Sequence, residues 1–245
     1  MRVDFATDTG KVRSSNQDAC RCGIFPGGGA WVVVCDGMGG ANGGNVASAI
    51  AVEHIEELLL KSYRESMSQG SIKSMMINAI YRANTAIYER ARQSAGLQGM
   101  GTTAVVMLAD GRRLHVAHVG DSRAYLKDRN GIRQLTMDHS YVQDLVNFGQ
   151  ITKEEARTHP HRNIITRVLG VHDSVNVDYA VWDFDTGDVA LACTDGLTSY
   201  MDEDLLDEYI NRHDGDGEAL VHDLIRFAVE NGGSDNITIA VVNNI

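Results

Sequence analysis

Apolar and polar positions along this chain follow two alternating rhythms. Arg2 to Thr9 and Asp18 to Phe25 alternate with a period near two, and Trp31 to Cys35 is a short continuous apolar run, the mark of a strand buried on both faces. From Asn45 the spacing turns helical: Val46, Ile50, Ile55, Leu58 and Leu59 share one face, and Ile72, Met76, Ile80, Ala83 and Ile87 share another. These two predicted helices should pack together over a sheet. Thr102 to Leu108, Leu114 to Val119, Arg123 to Leu126 and Ile132 to Leu135 read as strands, with turn signals at Asp110-Gly111 and Asn130-Gly131. That series predicts an antiparallel meander. Tyr141 to Ala156 predicts one or two short helices, and His159 to Leu169 a basic irregular segment. A hairpin is predicted for Val175 to Trp182 and Val189 to Cys193, turning at Asp185-Thr186-Gly187. Helices over Asp202 to Asn211 and Glu218 to Glu230, then a strand over Ile237 to Val242, complete the pattern. With no linker or low-complexity stretch, residues 1–245 read as one α+β domain with antiparallel sheets covered by helix pairs.

Composition narrows this picture without redirecting it. The 43% hydrophobic content is enough for a sizeable core. Against 25 glycines there are only 2 prolines, so turns are made with Gly, Asp and Asn. A formal net charge of -11 speaks against a nucleic-acid or anionic-membrane surface. No apolar run approaches the roughly 20 residues of a membrane span, and the opening Met1 to Phe5 lacks a signal core. The four cysteines form no C-x-x-C pair, so a soluble, reducing, cytoplasmic setting and reduced thiols are expected.

The chemistry enters at the strand ends. V-V-V-C-D-G ends at Asp36-Gly37, H-V-A-H-V-G-D at Gly120-Asp121, and V-A-L-A-C-T-D-G at Asp195-Gly196. Asp18 in S-N-Q-D and Asp235 in G-G-S-D-N have similar company. One Asp-Gly is usually a turn. Three apolar strands ending alike suggest carboxylates gathered on one spot, and five such acids would repel strongly without a cation. Carboxylates and a backbone carbonyl suit Mg²⁺ or Mn²⁺. None of the nine histidines has H-x-x-H or H-E-x-x-H spacing, which leaves zinc without its usual donors. The acids are too dispersed for an EF-hand loop. Carboxylate-held hard cations fit water activation and in-line attack on phosphorus. Gly37, Gly39 and Gly43 approximate a dinucleotide fingerprint, but a second helix follows the first where that motif needs a strand.

These residues resemble the metal-dependent serine/threonine protein phosphatases of type 2C in their compact bacterial form. The resemblance runs through V-R-S-S-N-Q-D (12–18), V-C-D-G-M-G-G (34–40), G-T-T-A-V-V (101–106) and V-G-D-S-R-A-Y (119–125). It continues through L-T-M-D-H-S (135–140), H-P-H-R-N-I-I-T-R-V-L-G (159–170), C-T-D-G-L-T (193–198) and G-S-D-N-I-T (233–238). It implies a four-layer α-β-β-α sandwich, with two central antiparallel sheets flanked by helix pairs, forming a single catalytic domain. It implies two core Mn²⁺ or Mg²⁺ ions, with Asp36 bridging them and the Gly37 carbonyl as a further ligand. Asp195 and Asp235 would hold the first ion, and Asp18 the second, directly or through water. Asp121 matches the position that holds a third, weaker ion with Asp195. Arg13 matches the residue that grips the substrate phosphate. The implied reaction is hydrolysis of phosphoserine and phosphothreonine in proteins by a metal-bridging hydroxide, with no phosphoenzyme. The implied partners are phosphorylated proteins, substrates of a cognate serine/threonine kinase, acted on by a monomer.

Two positions depart from the family pattern. Met38 stands where larger members carry a histidine proposed as general acid, and Ala41 where bacterial members often carry another. A water on the third ion, His139 and His161 are the remaining candidates for protonating the leaving group. The flap expected over 141–172 is rich in Arg157, His159, His161, Arg162 and Arg167. It reads either as a docking surface for phosphopeptides or as a solvated loop. A phosphoprotein-binding relative without catalysis is the alternative to an enzyme, although Asp36, Asp195 and Asp235 all stand.

Overall fold

A computed structural model describes residues 1–245, apart from the side chains of Ala41 and Asn42. The strands are β1 (Arg2–Asp8), β2 (Asp18–Ile24), β3 (Ala30–Met38), β4 (Gly101–Thr102), β5 (Ala104–Ala109), β6 (Arg113–Val119), β7 (Arg123–Asp128), β8 (Gly131–Gln134), β9 (Asp178–Asp183), β10 (Val189–Cys193) and β11 (Ile237–Asn243). The α-helices are α1 (Gly40–Ser62), α2 (Gln69–Gln93), α3 (Tyr141–Asn147), α4 (Lys153–Thr158), α5 (Asp195–Thr198), α6 (Glu203–His213) and α7 (Gly217–Glu230). The first sheet is ordered β1-β11-β10-β7-β8 and the second β2-β3-β5-β6-β9, with β4 extending the end of β3. Every pairing is antiparallel.

Strand periodicity sorts the core into three layers. On β3, Trp31, Val33 and Cys35 face α1 and α2, while Val32 and Val34 face the other sheet. On β11, Ile239 and Val241 meet α6 and α7, while Ala240 and Val242 turn inward to the first sheet's partner. α1 and α2 each present a stripe at helical spacing: Ile55 and Leu59 on α1, and Ile72, Met76, Ile80, Ala83 and Ile87 on α2, all buried. A fully buried Ile or Leu contributes about 1.5–3 kcal/mol, so the layers cohere by apolar packing. The four-layer α-β-β-α sandwich is the expected fold class.

Two expected connections are different. β6 and β7 do not form a meander: β6 lies in the second sheet and β7 in the first, and the chain crosses between them at Gly120–Ser122. β9 and β10 likewise do not form a hairpin, because β9 pairs with β6 and β10 with β7 and β11. The second crossing is plugged by Phe184, which is fully buried between the sheets. Strands buried on both faces carry the same apolar pattern whichever sheet they join, so the pattern does not reveal where the chain changes sheets.

Candidate active site

β2 and β3 pair in a register that sets Asp18 directly opposite Asp36. Residues so placed have Cβ atoms about 4.5–5.5 Å apart, and like charges there destabilise the sheet. The backbone of Asp36 is held by Thr102 of β4 and by Thr103, which joins β4 to β5. Its N–H donates to Thr103 Oγ1 at 2.9 Å, and its carbonyl accepts from Thr103 N–H at 2.9 Å and from the Thr102 hydroxyl at 2.8 Å. β3 then runs on through Gly37, where a Cβ would collide with the carbonyl oxygens of Gln17 and Gly44. Only glycine fits this close backbone approach.

The first sheet brings its own acids to the same place. Asp195 opens α5 directly after β10, and Asp235 lies just before β11. Thr194 stitches the sheets together: its hydroxyl donates to Asp18 Oδ2 at 2.9 Å and accepts from Thr238 N–H at 3.0 Å. Asp121 arrives from the crossing between β6 and β7 and is 8% exposed. All five predicted carboxylates are therefore brought together, two from one sheet, two from the other, and one from the crossing.

Their burial, and after it their mutual repulsion, appears in their proton affinities. Burial, followed by Asp18, Asp195, Asp121 and Asp235, pushes Asp36 well above the ordinary carboxyl range. Burial raises Asp18 to about 7, partly offset by hydrogen bonds from Thr238 and Thr194. Burial and Asp195 raise Asp121 to about 8, and burial and Asp235 raise Asp195 to about 6. Oδ1 of Asp18, Asp121 and Asp195 are all buried without a hydrogen-bond partner. Buried carboxylate oxygens with free lone pairs, in an all-oxygen donor set, fit hard divalent cations.

Arg13 stands at the rim, with Nη2 2.7 Å from Asp235 Oδ2 and about half its side chain exposed. The hydrogen bond and charge of Asp235 raise its pKa further, so it stays cationic throughout. The loop carrying it is stapled by Asn236, whose Oδ1 accepts from Gln17 N–H at 2.8 Å while Nδ2 donates to the carbonyls of Thr9 (2.9 Å) and Ser15 (3.0 Å).

The family's sequence profile, described as protein phosphatase 2C, matches residues 10–227. The chain belongs to the protein phosphatase 2C family. It is 38% identical to the serine/threonine phosphatase stp of Listeria welshimeri, over 99% of this chain and 95% of that protein. The crystal structure of the serine/threonine phosphatase Stp1 from Staphylococcus aureus superposes with a TM-score of 0.91 at 36% identity, covering 98% of this chain and 93% of that one. The catalytic domain of the phosphatase PstP, solved in complex with two manganese ions, gives 0.82 at 31% identity, covering 98% and 96%. This chain is accordingly a metal-dependent serine/threonine phosphatase of that family.

In this phosphatase Met38 is partly exposed at the end of β3, and the Ala41 side chain lies outside the described residues. His139 is buried behind Gly120, and its pKa is lowered to about 4 by burial and by His118, which makes it neutral at physiological pH. His161 is exposed in the flap beside Tyr141 and His159. The segment 141–172, expected as the flap, comprises α3, α4 and the irregular chain that follows them. Arg157, His161 and Arg162 are exposed on it, whereas Arg167 is paired with Asp178 at 2.7 Å. Thr103, Thr194 and Asn236 position the site, but reading the acids alone does not identify them. Their one sequence signal is that each lies inside a family motif: G-T-T, C-T-D-G and G-S-D-N.

Proposed function

We propose that residues 1–245 act as a single catalytic domain that hydrolyses phosphoserine and phosphothreonine in proteins, through a pair of Mn²⁺ or Mg²⁺ ions held by Asp18, Asp36, Asp195 and Asp235 with the Gly37 carbonyl, and with Asp121 and Asp195 holding a third, weaker one. The observation that carries this reading is the register placing Asp18 opposite Asp36, with Asp121, Asp195 and Asp235 converging on them and three of their oxygens buried and unpaired. Asp36 is the best placed to bridge, because all four other acids act on it. Asp195 and Asp235 flank it from the first sheet and Asp18 from the second, while the backbone of Gly37 runs close by and Asp121 with Asp195 can hold a weaker ion. When bound, two such cations generate a nucleophile from water at neutral pH and neutralise charge on the phosphoryl oxygens.

The protein's own groups do the rest. The five carboxylates form an anionic floor that would repel a phosphate dianion unless cations cover it. Arg13, with guanidinium donors open to solvent, can grip two phosphate oxygens at once and orient the ester for in-line attack. Asn236 keeps the Arg13 loop in place, and Thr103 and Thr194 hold Asp36 and Asp18. Among the described residues, the acid cluster holds no free nucleophilic serine or cysteine; Cys35 and Cys193 are buried thiols raised by burial above the ordinary range. That supports direct attack by water, with no phosphoenzyme. The deciding measurement is p-nitrophenyl phosphate and phosphopeptide turnover with Mn²⁺, with and without chelator. Wild type should be active only with metal, and Asp36→Asn should lose at least about a thousandfold, a loss on the order of 4 kcal/mol in transition-state stabilisation. Chelator-insensitive turnover, or an active Asp36→Asn, sinks the reading.

A further inference from the structure

The crossing that carries Asp121 is held from behind by residues outside the acid cluster. Gly120 has φ +109, and a Cβ there would run into the side chain of Thr103, so only glycine lets this corner pack directly against Thr103. Thr103 itself bonds Ser122 Oγ at 2.7 Å as well as Asp36. On the opposite side lies His139, 6% exposed. Its backbone N–H donates to the Gly120 carbonyl at 3.0 Å, and its Nδ1 accepts the Gly120 N–H at 2.9 Å. One residue thus closes both hydrogen bonds of a single glycine, its backbone taking the carbonyl and its ring the N–H.

The direction of the second bond determines the tautomer. An Nδ1 that accepts a backbone N–H has no proton, so the ring's hydrogen is on Nε2. Nε2 is buried and lies 3.3 Å from Asp178 Oδ2, off the line of a regular hydrogen bond. Arg167 anchors the other oxygen of Asp178 at 2.7 Å and also donates to the Asn176 carbonyl at 3.2 Å. His118 stacks on the His139 ring at 4.6 Å, with its own Nε2 2.9 Å from the Met137 carbonyl.

His118, His139 and Asp178 also have potential ligand atoms within 4.8 Å of one another, so a cation site is the competing reading. A metal-bound histidine must present a bare nitrogen. With Nδ1 already occupied by Gly120, Nε2 could serve only as an imidazolate, or after the Gly120 bond breaks. The geometry therefore favours a hydrogen-bonded support over a fourth ion site.

We propose that His139 is a positioning residue for Asp121, setting its carboxylate through Gly120, with Asp178 and Arg167 holding the imidazole in the tautomer that this requires. The proposal rests on the phosphatase reading, in which Asp121 holds the weakest ion. Because Thr166 N–H also bonds the His139 carbonyl at 2.8 Å, the return arm of the flap rests on the same residue.

The test is calorimetric Mn²⁺ titration and Mn²⁺-dependent turnover on the full chain, comparing wild type with His139→Ala, His139→Asn and Asp178→Ala, each melted in chelator to check folding. Wild type should show two tight binding events and one weaker event. His139→Ala should weaken the third event about five- to tenfold, up to about 1.4 kcal/mol, and leave the tight pair within twofold. His139→Asn should return to within about threefold of wild type, because its Oδ1 can take the place of Nδ1 and accept the Gly120 N–H. Asp178→Ala should fall between them. If His139→Ala does not fold, the Asn variant near wild type with Asp178→Ala weakened still supports the proposal, and Asp178→Ala indistinguishable from wild type overturns it. It is also overturned by only two events in wild type, by an unchanged third event in folded His139→Ala, or by equal loss of all ions in both His139 variants. A stoichiometric Zn²⁺ site lost in His139→Ala and Asp178→Ala overturns it in favour of a cation site. A wild type that neither binds Mn²⁺ nor hydrolyses phosphate esters refutes the phosphatase reading itself.

Discussion

Removing one charge from the acid cluster should make the metal-free protein more stable and the metal-loaded protein less so. The chosen change is Asp121→Asn, which keeps the side-chain shape. Asp121 is 8% exposed, and its pKa moves from the ordinary 3.8 to about 8 on folding. An acid raised in this way binds its proton more tightly in the folded state, so the stabilisation is present at low pH and lost as pH rises through the folded value. At pH 7, roughly three pKa units separate the folded demand from the unfolded ionised state, on the order of 4 kcal/mol at 1.36 per unit. Part of that is shared with Asp195, since neutralising one relieves the other. The amide also needs partners of its own, so the expected net gain is about 2 kcal/mol. For a chain of this size that raises Tm by about 4–8 °C.

The assay is thermal unfolding in chelator between about pH 8 and pH 6.5. Over that window Asp121 and then Asp18, raised to about 7, take up protons, so wild-type Tm should climb as pH falls. Below about 6.5 the trend should flatten, because His115, His118 and His139, all lowered chiefly by burial, are then held neutral at a cost. Asp121→Asn should start higher and climb less. Adding excess Mn²⁺ should reverse the order, because wild type gains more from ion binding to the folded state. A chelated Asp121→Asn that melts at or below wild type near pH 7.5, or a wild-type Tm that is flat across the window, refutes the account of the cluster as repulsion relieved by cations.

Other substitutions separate substrate binding from support. Arg13→Ala should lower kcat/KM for p-nitrophenyl phosphate about 10–100-fold, as expected for losing a charged hydrogen-bond pair worth about 1.5–3 kcal/mol, while Mn²⁺ affinity in calorimetry changes little. Asn236→Ala leaves Gln17 N–H and the carbonyls of Thr9 and Ser15 without their partner. It should destabilise by about 1–3 kcal/mol in urea unfolding and lower kcat/KM through the loosened Arg13 loop; unchanged kinetics would show that the loop is held some other way.

The same chemistry explains which features the sequence makes legible. Helix stripes such as Ile72 to Ile87 and strand runs such as Trp31 to Cys35 report burial, and burial is what their spacing encodes. Pairing is not encoded in that way. β5 and β6 form the hairpin that their turn at Asp110-Gly111 suggests, whereas β6 and β7 have an equally plausible pattern and lie in different sheets. Aspartates beside glycines stand out because a charge at the end of an apolar strand is anomalous. Thr103, Thr194 and Asn236 do not, because a neutral polar residue bonding to distant backbone leaves no local mark, and His139 draws notice only as a proton donor, not as the partner of Gly120.

The crossing between the sheets and the convergence of the acids have a common basis. Asp18 and Asp36 come from one sheet, Asp195 and Asp235 from the other, and Asp121 from the strand connection between the two. A meander would have kept Asp121 and β7 with the second sheet and left Asp195 without the strand that flanks it, since Cys193 pairs with Arg123. The chain has to change sheets at Gly120–Ser122 for the fifth carboxylate to stand between the other four. Cations held there would tie the two sheets together at their shared end, so that metal affinity and the packing of the sandwich are linked through one corner of the fold.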